Sequence, residues 1–496
     1  MSLQSKNVRS SSNSYNYGKL NSPLSMATLN PQVIKAEYAV RGELAIRADI
    51  LRKKLQSGEK LPFKNIIACN IGNPFVVGKK AITFPRQVVS CIENPDLLNV
   101  KEIPEEARQR AAQVFKHFPA GLGAYTHSQG LDFVRVHIAE YIKNRDDGIP
   151  AHPDKIFITT GASSAVTTIL NMIIAKPNVG IMIPFPQYPL YTAEIALKNG
   201  RVVPYYLKES SRWSLDLEEL NESYHVASKS GVDIKAIVVI NPGNPTGSVL
   251  TAQQMRDVIE FCEQNNILLI ADEVYQFNTY NPEKPFISFK KVASEMKSSV
   301  QLISLNSISK GFMGECGHRA GYMELFHIPD DVKAQFYKMA SIQLCPNTVG
   351  QVILDIMCHP PESPECRKQW DQERDTELTN LKNKSQRLLN CINSLPGLES
   401  QPADGAMYLF PSIHLPLKAL EAAKSFRVNG KHVSPDMFWS LQLLEQTGIA
   451  VVPGSGFGQV PGTHHFRTTF LPEAEQMDEM IERLTKFQND FMNKYQ

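Results

Sequence analysis

Residues 234–247 read IKAIVVINPGNPTG, a β-branched apolar run that ends in a turn with two prolines and two glycines. Because only Lys235 interrupts the run, it predicts a strand that is buried on both faces of a sheet. The X-Pro bonds and glycines predict a tightly specified turn at the carboxyl end of that strand. Ligands of open parallel sheets bind beyond this end of the strands, so Asn244 is predicted to present a fixed amide to a site.

The same pattern repeats on both sides of this segment. Helical periodicity at residues 162–175 and 252–265 separates further β-branched runs, which predicts an α/β fold with a mostly parallel central sheet flanked by helices. The other predicted strands cover residues 155–160, 179–184, 201–207, 267–271, 300–305 and 319–325.

The chain is predicted to divide into a large domain and a smaller α/β domain. Helical patterns precede the sheet at residues 37–55 and 104–118, and proline-rich residues 360–364 precede a long charged helix over 364–395 and short strands near 406–410 and 449–452. We expect an N-terminal arm or transit segment at 1–35, parts of the small domain at 36–118 and 363–496, and the large domain at 119–362.

Composition excludes several classes of protein. The 496 residues carry 52 basic and 50 acidic side chains, a formal net charge of +2, which gives no electrostatic reason to expect nucleic acid as a partner. Apolar runs fall far short of the ~18 residues that a membrane span needs, so we expect no membrane partner.

Cysteine spacing and the first residues bear on compartment. The eight cysteines form no C-x-x-C pair and no zinc-like spacing, so we expect reduced thiols and no metal site. The first 35 residues are Ser-rich and basic and contain no acid, which is compatible with a flexible arm or a mitochondrial transit segment. We expect a cytoplasmic protein, with the mitochondrial matrix as the alternative.

Two strand ends offer groups for a phosphorylated, flat ligand. Gly161 and Ser163 follow the strand at 155–160, where free N–H groups of a helix start bind anions, although a plain helix cap explains the same residues. Tyr188 lies between Pro186 and Pro189, which aim its ring as a plate for stacking, although a simple loop tyrosine is equally compatible.

Two further strand ends supply charge. Asp272 ends a buried strand, where a carboxylate needs a cation such as a protonated pyridine nitrogen, and Tyr275 could donate to the hydroxyl of the same ring. Lys310 follows the strand at 300–305 beside small residues, where a desolvated amine suits imine formation. Arg319 is a candidate phosphate clamp, since its guanidinium is planar and always charged.

Arg467 is the candidate for binding a substrate carboxylate. It lies in an apolar, β-prone run, HFRTTF, at residues 465–470. A half-buried arginine needs a carboxylate, and a substrate carboxylate or an internal salt bridge would meet that need.

These segments resemble the class I/II aminotransferases of fold type I. The matching stretches are NPGNPTG at 241–247, DEVY at 272–275, SISK at 307–310 and Arg319. The stretches that are similar to the alanine aminotransferase subgroup are EYAVRG at 37–42, NIGNP at 70–74, GAYTHSQG at 123–130, PFPQYPLY at 184–191, KGFMGECGHRAGY at 310–322, PGSGFG at 453–458 and FRTTFLP at 466–472.

The resemblance implies pyridoxal 5'-phosphate as cofactor, held as an imine on Lys310, and a homodimer. It implies catalytic roles for Lys310, Asp272 and Tyr188. It places the cofactor against Ala162, Ser163, Tyr188, Asn244, Asp272, Tyr275, Ser307, Lys310 and Arg319, with Tyr125 reaching the phosphate of the neighbouring subunit. Gly72 and Arg467 are implied to bind the substrate carboxylate, and Arg41 is a hypothesis for the second carboxylate of glutamate.

The implied reaction is amino transfer between L-alanine and 2-oxoglutarate. Alternatives with the same fold are glutamate:glyoxylate or aromatic transamination and lyase chemistry at the β or γ carbon, which substrate profiling separates. A non-catalytic regulator that senses the cofactor would need a basic DNA-binding module, for which the N-terminal arm has neither the length nor the pattern. A cofactor-free α/β protein would require every strand-end match to be accidental.

Overall fold

The computed structural model describes residues 24–38 and 42–496. The helices are α1 Pro31–Lys35, α2 Glu43–Gln56, α3 Thr83–Glu93, α4 Glu105–His117, α5 Asp132–Arg145, α6 Ala162–Ile173, α7 Leu190–Leu197, α8 Leu217–Lys229, α9 Ala252–Asn265, α10 Phe289–Glu295, α11 Asp330–Ile342, α12 Thr348–Cys358, α13 Pro364–Ser394, α14 Leu417–Ser425, α15 Pro435–Thr447 and α16 Ala474–Tyr495.

The strands are mostly short outside the central sheet. They are β1 Ile67–Ala68, β2 Ile156–Thr159, β3 Val179–Phe185, β4 Arg201–Tyr206, β5 Asp233–Ile240, β6 Leu268–Asp272, β7 Leu302–Ser307, β8 Gly321–Phe326, β9 Leu398–Glu399, β10 Tyr408–Leu409, β11 Ser412–Ile413, β12 Arg427–Val428, β13 Lys431–His432, β14 Ile449–Ala450, β15 Val452–Pro453 and β16 Phe466–Thr469.

The central sheet has seven strands in the order β2-β8-β7-β6-β5-β3-β4. β8 runs antiparallel to both of its neighbours, and the other pairs are parallel. Its inner strands are buried along nearly their whole length, which is why their sequences read as continuous apolar runs. The α/β fold with a mostly parallel sheet flanked by helices is confirmed.

The local sequence explains how β6 reaches the site. Thr251 and Gln254 form a reciprocal capping box that starts α9, and Asn266 adopts a left-handed conformation with φ of 51° that ends it. The chain then enters β6 directly, and β6 ends at Asp272. The helix and strand therefore deliver this carboxylate to the carboxyl edge of the sheet.

A second core lies outside the central sheet. It combines the C-terminal half of α13 with α14, α15 and α16 and the short strands β10 and β16, and Ile67 of β1 joins it by pairing with Ile449 of β14. α3 and α4 pack instead with α5 and α12 in a core beside the sheet. The domain boundaries given above stay predictions.

The helix expected over residues 37–55 begins later. α2 starts at Glu43, with Gly42 as its N-cap, because Gly42 itself has an extended backbone conformation and so lies outside the helix. Residues 1–23 and 39–41, including most of the predicted arm and Arg41, lie outside the described residues. In the described ranges no helix combines the length and apolarity needed to cross a bilayer.

Candidate active site

A cavity of about 390 Å³ opens at the carboxyl ends of the central strands. Of the residues that the resemblance places at the cofactor or the substrate, all that the structure describes line it except Tyr125. They are Gly72, Ala162, Ser163, Tyr188, Asn244, Asp272, Tyr275, Ser307, Lys310, Arg319 and Arg467. Asn244, Asp272 and Lys310 meet there because parallel strands end at one edge of the sheet, whereas Gly72 and Arg467 come from segments outside the central sheet.

Asp272 is a buried carboxylate with one oxygen left without a partner. Its Oδ2 accepts a hydrogen bond of 2.7 Å from the Tyr191 hydroxyl, whereas Oδ1 is buried and unpaired within the described part of the chain. Burial raises the pKa of Asp272, and the Tyr191 hydroxyl and the Lys310 charge only partly oppose that rise. A cationic ring nitrogen would supply the missing partner for Oδ1.

The start of α6 and Arg319 form a cradle for an anion. Gly161, with φ of 80°, is the N-cap and makes no side-chain cap, and Ser163 Oγ instead accepts a hydrogen bond of 3.0 Å from Arg319. A Cβ at Gly161 would lie 2.4 Å from the Arg319 guanidinium, so only glycine permits this approach. Arg319 itself has φ of 48°, a strained conformation that often marks functional sites. Gly161 is thus the helix cap, and the role of this segment in binding an anion stays a prediction.

Lys310 extends from the turn after β7 into the cavity. Its Nζ donates a hydrogen bond of 2.9 Å to the Gly72 carbonyl oxygen. Ser307 at the end of β7 donates to the Ala320 carbonyl at 2.9 Å and thereby ties the turn to the start of β8. The amine is thus held at the side of the cavity where Gly72 lies.

Arg467 is a fully buried cation, 1% exposed, on β16. Its guanidinium donates to Asn244 Oδ1 at 3.1 Å and to the Asn70 carbonyl at 2.7 Å, while Nε has no partner among the residues described. The rings of Tyr408 and Phe457 lie 4.2 and 4.8 Å from it. No ion pair within residues 24–38 and 42–496 includes Arg467, so an internal salt bridge is not what it serves.

The charges of the cavity fit pyridoxal phosphate together with a carboxylate substrate. Lys310, Arg319 and Arg467 are its cations, and Asp272 is its carboxylate. An anionic phosphate would neutralise Arg319, a substrate carboxylate would neutralise Arg467, and a protonated ring nitrogen would pair with Asp272. The part of the chain that the structure describes holds no His, Cys, Asp or Glu cluster suited to a metal ion.

Three tyrosines of the site are absent from the sequence-based predictions. Tyr191 donates to Asp272, Tyr408 accepts a 3.1 Å hydrogen bond from Tyr275, and Tyr38 shares a 2.6 Å hydrogen bond with Tyr188. Tyr191 lies three residues after Tyr188 in the segment quoted above, so the second tyrosine was a usable signal. Tyr38 lies in the quoted stretch 37–42, which was a usable signal in the same way, whereas nothing local in the sequence distinguishes Tyr408.

Tyr125 stands apart from the cavity. Its side chain is 73% exposed, on the segment between α4 and α5. A role at the phosphate of its own chain is therefore not supported, and its predicted role at a neighbouring subunit stays a prediction.

Comparison with known proteins gives consistent matches. Residues 87–484 match the family described as aminotransferase class I and II. The chain is 47% identical to a probable mitochondrial alanine aminotransferase of Dictyostelium discoideum, over 97% of this chain and 92% of that protein. It is 44% identical to glutamate–glyoxylate aminotransferase 1 of Arabidopsis thaliana, over 94% and 96%. The solved alanine aminotransferase of Pyrococcus furiosus superposes with a TM-score of 0.74 at 26% identity, over 93% of this chain and all of that one.

Proposed function

The chain belongs to the class I and II aminotransferases, a pyridoxal-phosphate-dependent family, and we propose that it transfers the amino group between L-alanine and 2-oxoglutarate, giving pyruvate and L-glutamate. The observation that carries this proposal is the single cavity in which Lys310, the unpaired oxygen of Asp272 and the uncompensated Arg467 face one space. Alanine as the donor rests on the name of the Dictyostelium relative.

The residues that would hold the cofactor are divided between the two ends of the cavity. Arg319, Ser163, Ala162 and Ser307 would hold the phosphate, and Asp272 would pair with the ring nitrogen. Tyr188 would stack on the ring, while Asn244 and Tyr275 would face its hydroxyl. Pyridoxal phosphate supplies an aldehyde that condenses with amines and a ring that withdraws electrons from the substrate.

Lys310 Nζ is proposed as the group that holds the cofactor covalently and moves the substrate proton. When the Lys310 amine is not bonded to the cofactor, it takes the proton from the substrate α-carbon. The Gly72 carbonyl orients this amine through the 2.9 Å hydrogen bond. Asp272 stays ionised when its Oδ1 meets a cation, and it thereby keeps the ring electron-poor.

Arg467 and Gly72 are proposed to bind the carboxylate that all amino-acid and 2-oxo-acid substrates share. Asn244 and the Asn70 carbonyl hold the guanidinium in place from one side, and the buried setting strengthens its attraction for a carboxylate because water does not screen it. Arg41, the candidate for the second carboxylate of glutamate, remains a hypothesis.

Glutamate:glyoxylate transamination is the second candidate, favoured by the 44% identity to the Arabidopsis enzyme of that name. A panel of amino donors and 2-oxo acids separates the two. We expect pyruvate from alanine with 2-oxoglutarate as the best acceptor. Faster turnover of glutamate with glyoxylate than of alanine with 2-oxoglutarate would favour the second candidate, and failure with both pairs would reject both.

A homodimer would complete the proposed site, because Tyr125 is exposed and does not line the cavity of its own chain, which leaves it free to contact the phosphate of another copy. We expect a dimer in sedimentation, and we expect Tyr125→Phe to weaken cofactor binding about tenfold through loss of one hydrogen bond to a charged group. At a cofactor concentration below the dissociation constant of the unaltered protein, hybrids of Lys310→Ala and Tyr125→Phe subunits should then be more active than either parent variant, since one site of each hybrid has both residues. A monomer, or hybrids no more active than the average of the parents, would reject this arrangement.

For the compartment, the sequence favours the cytoplasm with the mitochondrial matrix as the alternative. The Dictyostelium relative is named as mitochondrial, which supports the alternative. We propose the mitochondrial matrix on that ground.

A further inference from the structure

Tyr408 connects the two ends of the site through one side chain. It lies on β10, which pairs with β16, so that Tyr408 stands opposite Thr469 and close to Arg467. Its side chain is 2% exposed. The ring meets the cation proposed to bind the substrate carboxylate, and the hydroxyl meets groups proposed to face the cofactor.

The ring of Tyr408 is one of two aromatic faces on the Arg467 guanidinium. It lies 4.2 Å from the guanidinium carbon, nearer than Phe457 at 4.8 Å. Apart from these two rings, the described residues hold the Arg467 guanidinium through two hydrogen bonds, which Asn244 Oδ1 and the Asn70 carbonyl oxygen accept. Since a desolvated cation on an aromatic face is held more firmly than one in water, the ring fixes the plane of the guanidinium.

The hydroxyl of Tyr408 points toward the lysine. It accepts a hydrogen bond of 3.1 Å from Tyr275. A Cβ at Gly72 would lie 2.0 Å from this hydroxyl and 3.1 Å from Lys310 Nζ, so the hydroxyl and the amine border the same small space. Burial acts to raise the pKa of Tyr408, but the charges of Lys310 and Arg467 outweigh it and lower the pKa below its ordinary value.

We propose that Tyr408 is a positioning residue with two separable parts, a ring that orients Arg467 for the substrate carboxylate and a hydroxyl that orients Tyr275. This inference rests on the proposed function for its kinetic consequences. The ring acts on the binding of every carboxylate substrate, and the hydroxyl acts on turnover.

Two substitutions separate the parts in the cofactor-loaded protein. Tyr408→Phe keeps the ring and removes the acceptor for Tyr275, and we expect kcat for alanine to fall about fivefold while KM stays within about twofold. Tyr408→Leu removes both parts, and we expect KM for alanine and for 2-oxoglutarate to rise about tenfold. Tyr408→Met, whose longer and more flexible side chain adapts better to the space of the lost ring, replaces the leucine variant if that variant fails to fold.

Propionate, a carboxylate without an amino group, tests the ring independently of turnover. Its dissociation constant, measured by calorimetry, should be unchanged in Tyr408→Phe and about tenfold larger in Tyr408→Leu. Tyr205→Phe is the matched control, because Tyr205 is equally buried and donates to the Val238 carbonyl away from the site. It should alter neither propionate binding nor KM.

The inference is wrong if Tyr408→Phe weakens propionate binding as much as Tyr408→Leu does, or if the leucine and methionine variants leave propionate binding unchanged. Wild-type protein that fails to transaminate alanine contradicts the proposed function instead. In that case the propionate measurements still decide whether the ring orients Arg467.

Discussion

Lys310→Ala should lose about 10⁴-fold in turnover of alanine, the upper end of what a positioned acid–base group contributes. The Lys310 amine lies in the cavity beside Gly72. Among the residues that the structure describes, no other lysine lines this cavity. The phosphate cradle at Ser163 and Arg319 is untouched by the change. The variant should therefore still bind pyridoxal phosphate, now without a covalent bond, which absorbance after dialysis would measure.

Lys235→Ala is the matched control for this prediction. Lys235 lies on β5, pairs with Asp233 at 2.7 Å, and is far from the carboxyl end of the strand where the site lies. Its replacement should leave turnover within about twofold. Added methylamine should restore part of the activity of Lys310→Ala, because a small amine can occupy the space of the lost one. An active Lys310→Ala protein without added amine would overturn the assignment.

Asp272→Asn should lower kcat by ~10²–10³-fold, as expected when a charge partner in a water-excluded site is removed. The amide can still accept the hydrogen bond from Tyr191. It cannot keep a ring nitrogen protonated, so the cofactor should also bind more weakly. Kinetics on the reconstituted protein and equilibrium dialysis of the cofactor measure the two effects.

When no cofactor is bound, Asp272→Asn should raise the stability of the folded protein, although it lowers kcat and cofactor affinity. Folding raises the pKa of Asp272. Below pH ~4 the carboxyl group is protonated in the folded and the unfolded state, so it does not lower the stability. Above the raised pKa it is ionised in both states, and the burial of its charge lowers the stability by the full amount. Asp272→Asn removes that cost, and the cofactor-free variant should melt higher than the cofactor-free parent at neutral pH. With cofactor bound, the parent should melt higher than the variant.

Tyr191→Phe, which keeps the carboxylate, is the control for the effect of Asp272→Asn on turnover, and it should reduce kcat only about fivefold. Equal cofactor affinity in parent and Asp272→Asn would contradict this role.

The sequence predicted the carboxyl edge of the sheet well because the information there is local. Each apolar run stops at a turn residue, and the residue after the stop must face the same edge in a parallel sheet. Asn244, Asp272 and Lys310 were found in this way, and they line one cavity. The predicted and observed limits of the central strands agree to within one or two residues, as for the strand predicted at 300–305 and observed at Leu302–Ser307.

What the sequence missed depends on contacts between distant segments. The β-branched run at 319–325 predicts a strand but carries no sign of its direction, and β8 proves antiparallel between β2 and β7. Tyr408 reaches Tyr275 across 133 residues, and Tyr38 reaches Tyr188 across 150. Tyr38 lies in the quoted stretch 37–42, but that stretch does not indicate its partner, and Tyr408 has no local pattern that separates it from an ordinary core residue, so only the folded structure identifies these contacts.

Borohydride reduction followed by peptide mapping identifies the amine that holds the cofactor. Reduction fixes any pyridoxal phosphate to that amine, and we expect loss of the yellow colour and one labelled peptide that carries the label on Lys310. Purified protein without a vitamin B6 derivative, or with the label on a different lysine, would show that Lys310 does not hold the cofactor.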